Sequence, residues 1–277
     1  MHKQESLVKK LSLSSTPAEK WEIINQLGKV KDKTVIDELV KILDSDTNIQ
    51  IKSYAARALV KIGGKITLRK LVTLLNSDSW ITRMKVAEIL GELKYEAAVK
   101  PLIKALQTEK EPGVKEWLII SLGKIGEPKA LDILINKLEH DKDWEIRMEA
   151  ANALGEINNK KACQALLKSY QEDSNSTVRW TALAAIYTID QDYSKINVEK
   201  LCNKLTNIVK NSSNEFLIAA AAKTLGKIGD YSVVEDLLYA RKMHREMVRL
   251  EIDLALRKIA QKHGFSSKEE LIDKINY

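Results

Sequence analysis

Apolar residues recur along this chain at intervals of three and four, in runs that end on variants of one phrase. The fullest copy is Ser121-Leu122-Gly123-Lys124-Ile125-Gly126. Reduced copies include Leu27-Gly28-Lys29-Val30, Leu59-Val60-Lys61-Ile62-Gly63, Leu90-Gly91-Glu92-Leu93, Leu154-Gly155-Glu156-Ile157 and Leu225-Gly226-Lys227-Ile228-Gly229. The leading apolar residue falls at 27, 59, 90, 122, 154, 186, 225 and 256, in steps of 31 or 32 with a single step of 39. A fixed period of this size predicts a solenoid, because no one repeat can bury its apolar face alone.

Each period predicts two helices. The first, A, carries apolar residues on one face, as at Val99, Leu102, Ile103 and Leu106, the spacing of an amphipathic helix. A helices are expected over 34–43, 68–75, 97–106, 129–138, 160–170, 198–209 and 232–242. Polar turns such as Asp44-Ser45-Asp46, Asn76-Ser77-Asp78 and Asp141-Lys142-Asp143 follow, and their side chains are expected to cap the next helix. That second helix, B, runs into the repeated phrase, whose final glycine should stop it in the left-handed conformation. At the start, 5–13 reads as an irregular A helix and Pro17 opens the first B helix, where a missing amide proton is harmless. His263-Gly264-Phe265-Ser266-Ser267 breaks the pattern, and a capping helix is expected over 268–275. The long step leaves extra residues between Ile189 and Val198, read as a longer loop.

The cleanest copy of the B helix is Asp143-Trp144-Glu145-Ile146-Arg147-Met148-Glu149-Ala150-Ala151-Asn152-Ala153-Leu154-Gly155-Glu156-Ile157. It resembles the HEAT-like repeats of the phycobilisome-lyase type, over nearly the whole chain. That resemblance implies an all-α fold: a right-handed α-solenoid of about eight helix pairs, a single body over 1–277, closed by a C-terminal cap. Seven residues before each anchor stand Lys20, Lys52, Arg83, Lys115, Arg147, Arg179, Ile218 and Arg249. The family's basic residue at this place bonds inter-helix turns, so the row is read as holding repeats in register, with Asp46, Asp78, Asp143 and Asp173 as nearby acids.

Rotation at 100° per residue separates two arcs of each B helix. Positions one, three, four, seven and eight before the anchor hold small and aliphatic residues and are expected inside. The opposite arc should line a concave groove, and all five tryptophans of the chain fall on it. The candidate binding residues are Trp21, Tyr54, Arg57, Trp80, Met84, Trp117, Trp144, Met148, Trp180 and Phe216. Trp117 and Trp180 are expected to be replaceable without loss of stability. Exposed aromatic and methionine side chains in a stripe mark a surface for a protein or peptide partner.

The net charge of +7 raises the question of nucleic acid. On the groove arc, however, Arg57, Lys85 and Lys223 stand against Glu22, Glu88, Glu116, Glu145, Glu149, Glu215, Glu246 and Glu251. An acidic wall argues against a phosphate-tracking groove. The four histidines are dispersed, and Cys163 and Cys202 sit on apolar faces as buried small residues. No metal, cofactor or catalytic constellation is expected: the chain has no Gly-x-Ser-x-Gly elbow, no phosphate-cradling loop and no Cys-x-x-Cys. The repeated His-Glu motifs on which HEAT-like iron hydroxylases depend are also missing. No run is long enough to span a membrane, and a charged start without an apolar leader points to a cytoplasmic protein. The expectation is a noncatalytic protein-binding scaffold. The alternatives are a bilin-lyase-like chaperone, from the family resemblance, and a DNA-binding or repair solenoid, from the charge and tryptophans.

Overall fold

A computed structural model describes residues 2–14, 16–30, 32–190 and 198–275. The extra residues at 191–197, read as a longer loop, lie outside the described residues. Among the described residues there are α-helices and short 3-10 turns and no strand. The described chain is all-α, built of consecutive helix pairs, and it divides into two compact units, 1–133 and 134–277.

The first unit holds α1 (His2–Leu13), α2 (Pro17–Leu27), α3 (Lys33–Ser45), α4 (Ile49–Ile62), α5 (Gly64–Leu74), α6 (Trp80–Leu93), α7 (Val99–Thr108) and α8 (Pro112–Ile125). Helix α9 (Leu131–His140) begins at the division. The second unit continues with α10 (Trp144–Ile157), α11 (Cys163–Glu172), α12 (Ser176–Ile189), α13 (Val198–Asn211), α14 (Glu215–Ile228), α15 (Val234–Met243), α16 (Glu246–Lys262) and α17 (Lys268–Ile275). Even-numbered helices up to α16 are the B helices. In each unit they pack side by side in chain order, α2 to α8 and α10 to α16. The anchor residues, from Leu27 and Leu59 to Leu225 and Leu256, are at most 1% exposed. Each such buried aliphatic side chain contributes about 1.5–3 kcal/mol. Leu271 of α17 is fully buried against the second unit's core.

The two glycines of the repeated phrase do different jobs. Only the last one stops the helix, and not always in the expected conformation. Gly63 and Gly126 have φ of 57° and 79°, but Gly229 has φ −67°. Where glycine is absent, Lys94 and Asn158 take the left-handed conformation themselves. The first glycine lies within the B helix and spaces it from the next one. A β-carbon on Gly226 would lie 2.6 Å from Ala255 Cα, and one on Gly91 would lie 2.9 Å from Ser121 Cα. Each contact partner is the small residue just before the next anchor, as it also is for Gly28 against Ala58 and Gly155 against Ala185, so where this glycine occurs it sets how closely successive B helices approach.

The basic row at seven before the anchor is structural. Lys20 pairs with Asp46 at 3.4 Å, Arg83 with both oxygens of Glu109 at 2.7 and 2.9 Å, and Arg147 with both of Asp173 at 2.7 and 2.9 Å. In all three the acid lies 26 residues on, in the A–B turn of the following repeat. The same guanidinium groups donate to carbonyls of their own turn, Arg83 to Ser77 and Arg147 to Asp141. Lys52 is buried and donates to the Leu43 and Asp44 carbonyls at 2.7 and 2.8 Å and to Thr82 Oγ1 at 2.9 Å. At these four positions the row ties one repeat to the next and fixes the register between them.

Capping follows a related but shifted plan. In place of the expected caps, Asp46 and Asp141 accept turn amides, from Asn48 and Asp143. The caps themselves come later, from Asn48 on α4 and Ser79 on α6. At α2 the expected opening holds: Pro17 is first, and Thr16 and Glu19 form a capping box.

Candidate functional site

In the first unit, α2 and α4 bring Trp21, Tyr54 and Arg57 around one cleft of about 200 Å³, with Asn25 and Lys61 at its edge. Trp21 is 48% exposed and meets Tyr54 edge-on at 6.5 Å. The Lys61 ammonium donates to Asn25 Oδ1 at 3.0 Å. Trp80, at the first turn of α6, is also 48% exposed. Met84 and Trp117 are half-buried, and the Lys124 ammonium lies 5.6 Å from the Trp117 ring centre. Of this unit's candidates, Trp21, Tyr54 and Arg57 share that cleft.

In the second unit the outward arc behaves differently. Trp144 of α10 and Phe216 of α14 meet edge-on at 5.9 Å, and the Lys223 ammonium of α14 donates to Asn152 Oδ1 of α10 at 2.6 Å. Side chains of α10 and α14 thus meet across α12. Phe216 remains 55% exposed, whereas Trp144 and Met148 are half-buried.

Trp180, expected from the sequence to face open solvent, is buried instead. Its ring is 3% exposed and belongs to the second unit's core, between Tyr170 of α11 at 5.8 Å and the Lys204 ammonium of α13 at 5.2 Å. Thr177, Thr181 and Ala184, the other outward positions of α12, are buried as well. The sequence carried a signal for this: Arg179 is the one charged residue in α12, and a helix apolar all round is a buried helix. Exposed apolar side chains appear instead on α16, where Met247, Leu250 and Leu254 are 44%, 60% and 39% exposed on one helical face.

Charge on the outward face also needs correction. Two positions after each anchor from Leu59 onward lie 200° round from it on the same helix and hold Lys61, Glu92, Lys124, Glu156, Thr188, Lys227 and Lys258. This row adds four lysines against two glutamates, so the outward face is mixed rather than uniformly acidic. Among the described residues no group of three His, Cys, Asp or Glu side chains could hold a metal ion, and no helix is long and apolar enough to cross a membrane. Cys163 and Cys202 are free and buried, and burial pushes both thiols above their usual pKa.

A family model of HEAT repeats matches residues 5–83, 68–141 and 114–187. The chain belongs to the HEAT-repeat family. Among solved structures, this HEAT-repeat chain is similar to Kap121p over 94% of its length and 33% of that chain, at 15% identity and a TM-score of 0.63. Kap121p bound to Pho4p matches over 99% and 34%, at 15% identity and a TM-score of 0.62. The complex of CpcE and CpcF of phycocyanin lyase from Nostoc sp. PCC7120 matches over 91% and 93%, at 20% identity and a TM-score of 0.45. The HEAT-repeat chain spans about a third of Kap121p, and at these identities the likeness is one of fold. No curated protein sequence matches it.

Proposed function

We propose that this HEAT-repeat chain is a noncatalytic scaffold that holds a protein or peptide partner on the outward faces of its B helices. The observation that carries the reading is the exposure of large apolar side chains there: Trp21, Trp80, Phe216, Met247 and Leu250 are each more than 40% exposed. Stability gives no reason to keep such groups in water, and aromatic and methionine anchors are the residues that interfaces enrich. Close glycine contacts between successive B helices support reading the B side as the inner curve of each unit. Tyr54, Arg57, Met84, Trp117, Trp144 and Met148 complete the proposed contact residues, and Trp180 does not. Arg57 and Lys61 beside the Trp21–Tyr54 pair favour a partner segment with an apolar anchor and a neighbouring carboxylate. In one of the similar solved structures Kap121p is bound to Pho4p, which makes a protein partner a natural use of the fold.

A displayed random-peptide library, selected on the full chain, tests the reading. Enriched peptides should combine an aromatic or aliphatic anchor with an acidic residue, and should bind a Trp21→Ala/Trp80→Ala chain at least tenfold more weakly. Peptides that bind the double variant as well as the wild type would refute the assignment.

A further inference from the structure

In the second unit, Lys223 and Lys227 of α14 and Lys258 of α16 surround a cavity of about 210 Å³, with Asn152 and Glu156 of α10 and Thr188 of α12 completing the wall. Two of the cations are held in place by hydrogen bonds, and the third, Lys258, stands exposed at the rim. Lys223 is fixed on Asn152, and the half-buried Lys227 ammonium donates to the Ala184 carbonyl at 3.0 Å and to the Thr188 hydroxyl. Burial, and then the charges of Lys223 and Lys258, bring Lys227 down to about 7, with Glu156 opposing. Lys258 is lowered for the same two reasons, burial first and then Lys223, against Glu251.

Folding therefore gathers three ammonium groups, at the expense of stability, around a hollow that one carboxylate faces. Charges in partly dry places are ordinarily matched one for one. Among the lining groups the imbalance is two positive charges while Lys227 holds its proton, which an incoming anion favours, and the hollow has room for several water-sized groups. An extended polyanion suits the place poorly, because Glu145 and Glu149 on α10 and Glu246 and Glu251 on α16 stand along the same helices. A compact anion of two charges answers both the sign and the size. We propose that Lys223, Lys227 and Lys258 form a binding site for a compact divalent oxyanion of the phosphate-monoester class. The site goes beyond the partner-binding reading and does not depend on Trp21 or Trp80.

Calorimetric titration of the full chain with sodium sulfate and with inorganic phosphate, at constant ionic strength, tests the proposal. One saturable site per chain is expected, at least tenfold weaker in Lys258→Gln and in Lys227→Gln, with Trp80→Ala unchanged. Lys258 is exposed, so its variant keeps the fold, which a melting curve verifies. Sulfate stays divalent from pH 6 to 9, so its affinity should fall over that range as Lys227 loses its proton. Glycerol phosphate and a phosphoserine peptide separate the sources: equal affinity places the group on a free small molecule, and a tenfold preference for the peptide places it on a partner chain. The absence of saturable sulfate binding, equal affinity in both lysine variants, acetate binding as tightly as sulfate, or duplex DNA binding more tightly than the monoester would each overturn the proposal.

Discussion

Gly226 lies so close to Ala255 that a single added methyl group tests how the B helices are spaced. The β-carbon of Gly226→Ala would sit 2.6 Å from Ala255 Cα and 3.3 Å from its carbonyl oxygen, backbone that cannot turn aside. Overpacking of this kind costs about 1–3 kcal/mol, which chemical denaturation should record. Gly113→Ala, with nothing within 4 Å, should be neutral or stabilising by about 0.5–1 kcal/mol. Lys227 offers a second test at this scale, through pH. Its folded pKa of about 7 lies below the ordinary 10.5, so the unfolded chain binds more protons between those values and stability rises with pH across them. Lys227→Met should therefore raise the melting temperature most at pH 6 and progressively less towards pH 10. A gain that does not change with pH would contradict the assignment. The role of Lys227 was legible in principle, since its place two residues after the anchor follows from helical rotation alone.

At the scale of the element, pairs formed across a repeat hold the register. Arg147 makes two bonds to Asp173 and donates to two carbonyls of its own turn, and the two side chains are 13% and 7% exposed. Arg147→Met should cost about 2 kcal/mol, in the range of charge-assisted hydrogen bonds that are partly shielded from water. A double-mutant cycle with Asp173→Asn should show that most of this loss is shared, and additive losses would refute a direct pair. Helix positions were readable in the sequence because the three-and-four spacing and the buried anchors arise within one helix. The pairing acid was not always readable. Arg83 joins the carboxylate of Glu109, 26 residues away, while its own turn offers it backbone carbonyls, of Ser77 and Asp78, instead of an acid. The outward face of α12 departs from its sequence reading for a related reason. Rotation about a single axis cannot know that Trp144 and Phe216 meet across it, although the nearly uncharged composition of α12 pointed to burial.

For the whole molecule, period and anchor identified the HEAT-repeat architecture, while exposure of individual rings depended on how neighbouring helices close over them. The basic excess of the chain, +7, is not carried by a uniformly acidic or basic binding face. The central claim is that exposed rings on B helices serve a partner while buried rings serve the fold. It is tested most directly by measuring unfolding free energy and selected-peptide affinity side by side for Trp80→Ala and Trp180→Ala. Trp80→Ala should change stability by less than about 0.5 kcal/mol and weaken peptide binding at least tenfold. Trp180→Ala should lose about 3–5 kcal/mol, and the chain that remains folded should bind the peptide with unchanged affinity. A large stability loss in Trp80→Ala with peptide affinity intact would contradict the account.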